Sequence, residues 1–223
     1  FGPRSKPRAY RSCFGMEPLA IRGPPFADIP AAATPTSTVR LLDGNAMPLF
    51  GLGVYLSEPG AETEKAVFEA LRAGYRLIDT AALYRNEADV GAALRRSGIP
   101  RSEVFITTKL WDTDHGYDRA IAACKKSLAK LGTDYLDLYL IHSPNKGKLV
   151  ETWDALVELQ RCGLVRSIGV SNMDVAHIEA LLEYRRPVPT VNQIEMHPMI
   201  WEEREALLNY CKSKGIIVQA YGS

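Results

Sequence analysis

Short apolar runs alternate with longer amphipathic stretches along most of this chain of 223 residues. Six of the apolar runs end in a polar residue or just before one. In the stretches that follow them, apolar residues recur at the spacing of a helix. The amphipathic stretches commonly end at a glycine, as helices do at their C-termini. The six runs span residues 76–78, 104–107, 136–141, 167–170, 190–194 and 216–220. This alternation is typical of strand–helix units that build a parallel sheet.

We predict seven parallel strands with six intervening helices, the first strand being the glycine-containing segment 49–55. The helices are predicted over residues 62–73, 86–97, 117–131, 149–162, 175–184 and 202–214. A β-hairpin is expected before the first strand, because Asp43-Gly44 lies between two short apolar stretches. The predicted fold class is α/β: a (β/α)8 TIM-type barrel that lacks its last βα unit, with an N-terminal β-hairpin.

The first 36 residues differ from the rest of the chain. They hold seven of the 14 prolines and show no sustained periodicity, so they bury too little apolar surface to offset the entropy of ordering. We therefore predict a flexible, proline-rich leader over 1–36 and a truncated barrel domain over 37–223. The basic bias of the leader weakly resembles an organellar transit peptide. A disordered leader, or an incomplete chain end, is the plainer interpretation.

The composition argues against several classes of partner. The chain has 27 Lys and Arg residues and 26 Asp and Glu residues, a net charge of +1. This balance does not indicate a protein that binds nucleic acid. No apolar run approaches the ~18 residues that a membrane span needs. The 4 cysteines form no Cys-x-x-Cys pair, and the histidines lack the spacing of metal ligands. We expect the helical cysteines to be small buried hydrophobes in the reducing cytoplasm, rather than a disulfide framework.

Polar residues at the ends of the apolar runs are the main functional signal. The carboxyl ends of the strands of a parallel barrel meet at one rim, and barrel enzymes carry their chemistry there. A carboxylate, an ammonium, an imidazole, a hydroxyl, an amide and a phenol at that rim predict an active site. The residues are Asp79, Lys109, His142, Ser171, Gln193 and Tyr221.

Four residues of the first predicted βα units suggest a specific chemistry. A buried Lys109 requires a partner charge, and Asp79 on the preceding strand is the nearest candidate. Tyr84 follows five residues after Asp79, in the loop after that strand, and a lysine beside it is expected to lower the pKa of the phenol by roughly 1–3 units. The phenol would then be a better proton donor near neutral pH. His142 could donate a hydrogen bond to the same substrate oxygen, so that the group protonates and polarises a carbonyl.

Each of these residues also has a plainer interpretation. An Asp–Lys pair is often a solvated ion pair, a loop tyrosine is often a packing residue, and His142 could be a core histidine with satisfied hydrogen bonds. The placement of the residues at or just after strand ends favours the active site.

The sequence resembles the aldo-keto reductase superfamily from about residue 39 to the last residue. The resemblance depends on several ordered strings, which makes a chance match negligible. They are Gly51-Leu-Gly-Val-Tyr55, Gly74-Tyr-Arg-Leu-Ile-Asp-Thr-Ala81, Tyr84-Arg-Asn-Glu87, Thr107-Thr-Lys-Leu-Trp111, Leu136-Asp-Leu-Tyr-Leu-Ile-His-Ser-Pro144, Ile168-Gly-Val-Ser-Asn172, Asn192-Gln-Ile-Glu-Met-His-Pro198 and Gln219-Ala-Tyr221. The branch of prostaglandin F synthase and 2,5-diketo-gluconate reductase looks most similar.

The resemblance implies an NADPH-dependent reductase of small aldehydes and ketones. It implies a catalytic tetrad in which Tyr84 is the general acid, a set of residues that hold the nicotinamide, and an aromatic substrate pocket. The tetrad is Asp79, Tyr84, Lys109 and His142. The nicotinamide carboxamide would be hydrogen-bonded by Ser171, Asn172 and Gln193, with Tyr221 stacked on the ring. The pocket would be lined by Tyr55, Trp111 and His142.

The chain also departs from the family pattern. The basic segment that binds the 2′-phosphate, and the C-terminal loop that shapes substrate preference, are expected after Tyr221 and are absent. The choice between NADPH and NADH, the substrate and the oligomeric state therefore stay open. The alternative function is a catalytically impaired barrel that serves as a binding or regulatory protein.

Overall fold

A computed structural model describes residues 34, 37–144 and 147–222. The predicted leader over 1–36 lies outside the described residues except for Thr34. In chain order the elements are β1 (Thr38–Arg40), β2 (Ala46–Pro48), β3 (Leu52–Gly53), α1 (Ala61–Arg72), β4 (Leu77–Asp79), α2 (Glu87–Ser97), β5 (Phe105–Leu110), α3 (Tyr117–Leu131), β6 (Leu136–Ile141), α4 (Leu149–Arg161), β7 (Val165–Ser171), α5 (Val175–Leu182), β8 (Val191–Glu195), α6 (Trp201–Lys214) and β9 (Ile217–Tyr221).

The main sheet has seven strands, and their order in the sheet follows their order in the chain from β3 to β9. Every neighbouring pair is parallel, and one helix lies between each strand and the next. This arrangement confirms the predicted α/β barrel architecture. Because the strands are parallel, the residues that follow them collect at one rim.

The predicted hairpin is confirmed as the antiparallel pair β1–β2. Gly44 has φ 87°, a left-handed conformation that glycine adopts without steric cost. The backbone N–H of Asn45 donates to Asp43 Oδ1 at 3.2 Å, a contact typical of tight turns. The tight turn predicted from Asp43-Gly44 is therefore present in the structure.

The hairpin covers the end of the barrel opposite the rim. Its buried residues form one cluster with residues of β4, β5, β6, β8 and β9, most of which lie at the beginnings of their strands, whereas the larger core lies between the sheet and the helices. The small cluster comprises Val39, Leu41, Met47, Leu77, Phe105, Leu138, Leu140, Val191 and Ile217. One end of the barrel is thus closed by apolar packing, and the polar strand ends remain at the other.

Three predictions need correction. The first strand is two residues long rather than 49–55, because it is paired only with the short strand β4, at Leu52↔Ile78 and Gly53↔Asp79. The fifth helix ends at Leu182 rather than at 184 and continues as a 3₁₀ turn; Pro187 disfavours helical backbone in the residue before it. Cys162 is exposed, although Cys124 and Cys211 are buried as expected.

Helices α2 and α3 approach each other closely at Gly91. A Cβ atom at this position would lie 2.2 Å from the backbone carbonyl oxygen of Leu131 at the end of α3. A backbone atom cannot move aside as the end of a side chain can, so the contact requires glycine. The close approach holds α2 against α3, and α2 directly follows the loop that contains Tyr84.

We expect Gly91→Ala to destabilise the protein by about 1–3 kcal/mol, which is the usual cost of overpacking. An alanine in a helix would otherwise stabilise it by roughly 1 kcal/mol, so the sign of the change tests the packing. Gly53→Ala is the control, because a Cβ atom there meets nothing within 4 Å. Denaturant unfolding measures both variants, and a Gly91→Ala protein that is more stable than the parent would contradict the close approach.

Candidate active site

A buried ion pair lies at the centre of the rim. Asp79 is the last residue of β4, and Lys109 lies on the neighbouring strand β5, with only 1% of its side chain exposed. The ammonium of Lys109 donates to Asp79 Oδ1, and it donates a second hydrogen bond to the backbone carbonyl of Thr80 at 3.1 Å. The structure thus brings the two residues together, and the buried charge is compensated.

Tyr84 lies beside this pair, at the end of the 3₁₀ turn Ala82–Tyr84. The ammonium of Lys109 donates to its hydroxyl at 3.3 Å. Burial raises the pKa of Tyr84 above its ordinary value of 10.0, and this effect outweighs the lowering by Lys109. The expectation of a lowered pKa was therefore wrong, because it counted the nearby charge and not the desolvation. The phenol keeps its proton at neutral pH, and Lys109 can stabilise the phenolate after donation.

His142 follows β6 and contacts two aromatic side chains. Its ring packs edge-on against Tyr84, with centroids 5.7 Å apart, and against Trp111 at 5.1 Å. Burial, helped by the positive charge of Lys109, lowers the pKa of His142 from 6.5 to about 4, with Asp112 opposing the shift. The imidazole is therefore neutral near pH 7 and offers a hydrogen-bond donor rather than a positive charge.

The predicted pocket residues extend this aromatic wall. The ring of Tyr55 lies 5.0 Å from that of Tyr84, and 63% of Tyr55 is exposed. A cavity of about 230 Å³ lies beside Tyr84 and is lined by Tyr55, Leu56 and Leu83 among others. The other two predicted pocket residues, Trp111 and His142, do not line this cavity, and their rings contact each other.

The four predicted nicotinamide residues lie together across the rim. The Ser171 hydroxyl donates to the backbone carbonyl of Gln193 at 2.8 Å. The amide nitrogen of Asn172 donates to Ser171 Oγ at 3.1 Å and to the backbone carbonyl of His142 at 3.0 Å. The Tyr221 hydroxyl donates to Asn172 Oδ1 at 2.7 Å. The network connects the ends of β6, β7, β8 and β9.

Gln193 also reaches the ion pair, which the sequence did not indicate. Its amide nitrogen Nε2 donates to Asp79 Oδ2 at 2.7 Å, although the two residues are 114 positions apart. The predicted nicotinamide group and the predicted tetrad are therefore one connected set of hydrogen bonds.

Asn86 is a further polar residue of the site that the sequence reasoning missed. It is completely buried, and its amide donates to the backbone carbonyls of Val54 at 2.9 Å and Ser57 at 3.4 Å. It accepts a hydrogen bond from Thr80 Oγ1 at 2.8 Å. It therefore ties the loop after β3, which carries Tyr55, to the loop after β4, which carries Tyr84. Its place in the string that follows Tyr84 was the available signal.

Glu87 is a second missed residue, at the start of α2. Its buried carboxylate accepts hydrogen bonds from the Thr108 hydroxyl at 2.7 Å and from the Lys130 ammonium at 3.1 Å. Thr108 precedes Lys109 on β5, so Glu87 holds the start of α2 against the strand that carries the buried ammonium. An acidic residue in the first turn of a helix was the only sequence signal, and it is a common one.

Within the described ranges no group of three or more His, Cys, Asp or Glu residues could hold a metal ion. None of the helices between residues 37 and 222, as far as the structure describes them, is long and apolar enough to cross a membrane.

Comparison with known proteins agrees with this geometry. A sequence model of the Aldo/keto reductase family matches residues 51–223. The glyoxal reductase of Bacillus subtilis (strain 168) is 49% identical over 190 residues, which are 84% of this chain and 68% of that protein. The 9,11-endoperoxide prostaglandin H2 reductase of Trypanosoma cruzi (strain CL Brener) is 46% identical over 183 residues, 82% of this chain and 64% of that protein. This chain belongs to the aldo/keto reductase family.

Solved structures give the same result for the fold. An aldo/keto reductase from Brucella melitensis superposes with a TM-score of 0.80 at 45% identity, over 83% of this chain and 72% of that one. A Bombyx mori aldo-keto reductase in complex with NADP superposes with a TM-score of 0.77 at 37% identity, over 85% and 67%. The chain spans about two thirds of the length of the curated relatives that it matches.

We expect Lys109→Met to cost about 3–5 kcal/mol of stability, because it leaves the Asp79 carboxylate buried without its partner. It also removes the group that lowers the pKa of Tyr84, so that this pKa rises further. A general acid must be protonated, and the basic limb of any activity it supports should move to higher pH. Denaturant unfolding measures the loss, and Lys126→Met on the exposed face of α3 is the control, expected within about 0.5 kcal/mol. Equal stability of the two variants would contradict the buried pair.

The lowered pKa of His142 predicts a specific pH dependence of stability. The unfolded histidine takes up a proton as the pH falls below about 6.5, whereas the folded one does so only near 4. The unfolded state then binds more protons, so stability falls as the pH is lowered through this window. His142→Gln removes this contribution, and its free energy of unfolding should fall less than that of the parent between about pH 7 and about pH 5. The same loss in both proteins would show that His142 titrates normally.

Proposed function

We propose that the site reduces an aldehyde or ketone to an alcohol, with Tyr84 donating the proton and NADPH as the hydride donor. The observation that carries the proposal is the position of the Tyr84 hydroxyl, which lies 3.3 Å from the buried ammonium of Lys109. The side chain of Tyr84 also contributes to the lining of a cavity of about 230 Å³. Carbonyl reduction requires a proton donor at the oxygen, and a phenol beside a buried ammonium can donate its proton and have its anion stabilised.

The residues around Tyr84 have separate parts in this proposal. Tyr84 donates its proton to the carbonyl oxygen of the substrate. Lys109 stabilises the phenolate that remains, and Asp79 compensates the ammonium so that the buried site carries no net unpaired charge. His142 is neutral near pH 7 and can donate a hydrogen bond to the same oxygen, which favours the developing negative charge.

The polar groups across the rim fit a nicotinamide. Ser171, Asn172 and Gln193 offer hydroxyl and amide groups next to the ion pair, and a carboxamide needs both donors and acceptors. Tyr221 is 40% exposed at the same rim, and its ring is the aromatic group that we assign to stacking on the nicotinamide. NADPH, when bound, supplies the hydride. The NADP complex of the Bombyx mori relative supports this choice of cofactor.

Small carbonyl compounds are the substrates that we propose. The cavity beside Tyr84 has a volume of about 230 Å³, which is below the range of ~300–1,000 Å³ typical of sites for drug-sized ligands. Its walls combine apolar and aromatic side chains with two polar ones, Ser57 and Glu58. The names of the relatives, a glyoxal reductase and a prostaglandin H2 reductase, support reduction as the reaction.

We expect Tyr84→Phe to lower kcat by about 10²–10⁴-fold, the usual contribution of general acid catalysis. The dissociation constant for NADPH should hardly change, because the hydroxyl contacts Lys109 rather than the groups assigned to the cofactor. Steady-state kinetics with a small aldehyde and a fluorescence titration with NADPH measure the two effects. Tyr210→Phe is the matched control, since that hydroxyl donates to Glu179 away from the rim. Turnover near that of the parent would exclude Tyr84 as the proton donor.

A further inference from the structure

The hydrogen bond from Gln193 to Asp79 crosses the interior of the barrel. Gln193 lies on β8 and Asp79 on β4, and three strands separate them in the sheet. Both residues are largely buried, with 4% and 8% exposure, and their side chains meet at 2.7 Å. A buried amide next to a carboxylate forms a charge-assisted hydrogen bond, which is roughly twice as strong as a neutral one.

The backbone of Gln193 is also fixed, which restricts where its side chain can reach. Its carbonyl accepts hydrogen bonds from Ser171 Oγ at 2.8 Å and from the backbone N–H of Asn172 at 2.9 Å. A carboxylate can only accept hydrogen bonds, so the amide must point its nitrogen at Asp79. The carbonyl end of the amide is then directed away from the carboxylate.

The two oxygens of Asp79 are therefore used by different partners. Oδ1 accepts from Lys109, and Oδ2 accepts from Gln193. The ammonium of Lys109 has three donors, and it shares them among Asp79, the carbonyl of Thr80 and the hydroxyl of Tyr84. Without Gln193, Oδ2 would have no donor from the protein among the described residues, and the carboxylate would attract Lys109 more strongly.

We propose that Gln193 is a positioning residue of the proton-donating site: its amide holds Oδ2 of Asp79, and this leaves the ammonium of Lys109 within reach of the Tyr84 hydroxyl. The inference rests on the proposed function in one respect, which is that Tyr84 is the group that donates the proton. It gives Gln193 a role toward the ion pair in addition to the role toward the nicotinamide.

The direction of the effect follows from the groups that face Tyr84. They are Lys109 on β5, Asp79 on β4, Tyr55 after β3 and His142 after β6. Lys109 favours the phenolate, and Asp79 opposes it. Loss of the Gln193 amide would leave more of the carboxylate charge uncompensated, and the freed Oδ2 would compete for the Lys109 donor that now reaches Tyr84. Both changes raise the pKa of the phenol.

The test measures this phenol directly. Difluorotyrosine, whose phenol is more acidic than that of tyrosine, is incorporated at position 84, and its fluorine NMR shift is followed against pH without cofactor or substrate. Gln193→Met keeps the length of the side chain and removes the donor, and we expect it to raise the phenol pKa by at least about half a unit. Gln193→Asn keeps the amide but is one methylene shorter, and it should raise the pKa in the same direction.

Gln219→Met is the matched control. Gln219 is paired with Gln193 in the register of β8 and β9, yet it does not contact Asp79. Its variant should leave the phenol pKa within about 0.2 units of the parent, well below the shifts of 1 unit or more that a nearby charge causes. An equal shift for Gln193→Met and Gln219→Met, or no shift for either Gln193 variant, would overturn the proposal. Because the titration needs no turnover, a protein without reductase activity would refute the proposed function and still decide the role of Gln193.

Discussion

The buried ammonium of Lys109 is the constraint on which the rest of the site depends. An unpaired charge in a protein interior costs several kcal/mol, so a neighbouring strand must supply a carboxylate within reach of the ammonium. The parallel register of β4 and β5 pairs Asp79 with Thr107, and Lys109 lies two residues further along the same face. Its remaining donors then go to the carbonyl of Thr80 and the hydroxyl of Tyr84. The position of the phenol thus follows from the compensation of one charge.

Burial acts on the two other titratable groups in a common way, although their pKa values move in opposite directions. It raises the pKa of Tyr84 and lowers that of His142, because in each case it favours the neutral form. Near neutral pH the site therefore contains one compensated ion pair and two neutral groups that can donate hydrogen bonds. Lys109 lowers both pKa values, so it works against burial at the phenol and with it at the imidazole. This combination keeps a proton on Tyr84 and no charge on His142.

The sequence predicted the parts of this protein that depend on local periodicity. The apolar runs and the glycines after the helices placed the strands and helices to within a few residues, because each signal lies inside its own element or directly next to it. The six strand-end residues followed from the same pattern. The bonds of Asn86 and of Gln193 could not be predicted in this way, since their partners lie 32 and 114 positions away. The predicted direction of the pKa shift of Tyr84 was wrong for a related reason, because the burial of this side chain depends on the assembled barrel. The first strand was overestimated because its length depends on the neighbour with which it pairs.

The hydrogen bond between Thr80 and Asn86 limits how the loops of this aldo/keto reductase family member can be changed. It closes the loop after β4 on itself, while Asn86 also holds the loop after β3. An insertion or deletion between these two residues would break the hydrogen bonds of Asn86. The loops after β3 and β4, which line the cavity, would then no longer be held together. Loop grafting aimed at a new substrate range should therefore leave the length of this segment unchanged and vary the side chains at its exposed positions, such as Leu83.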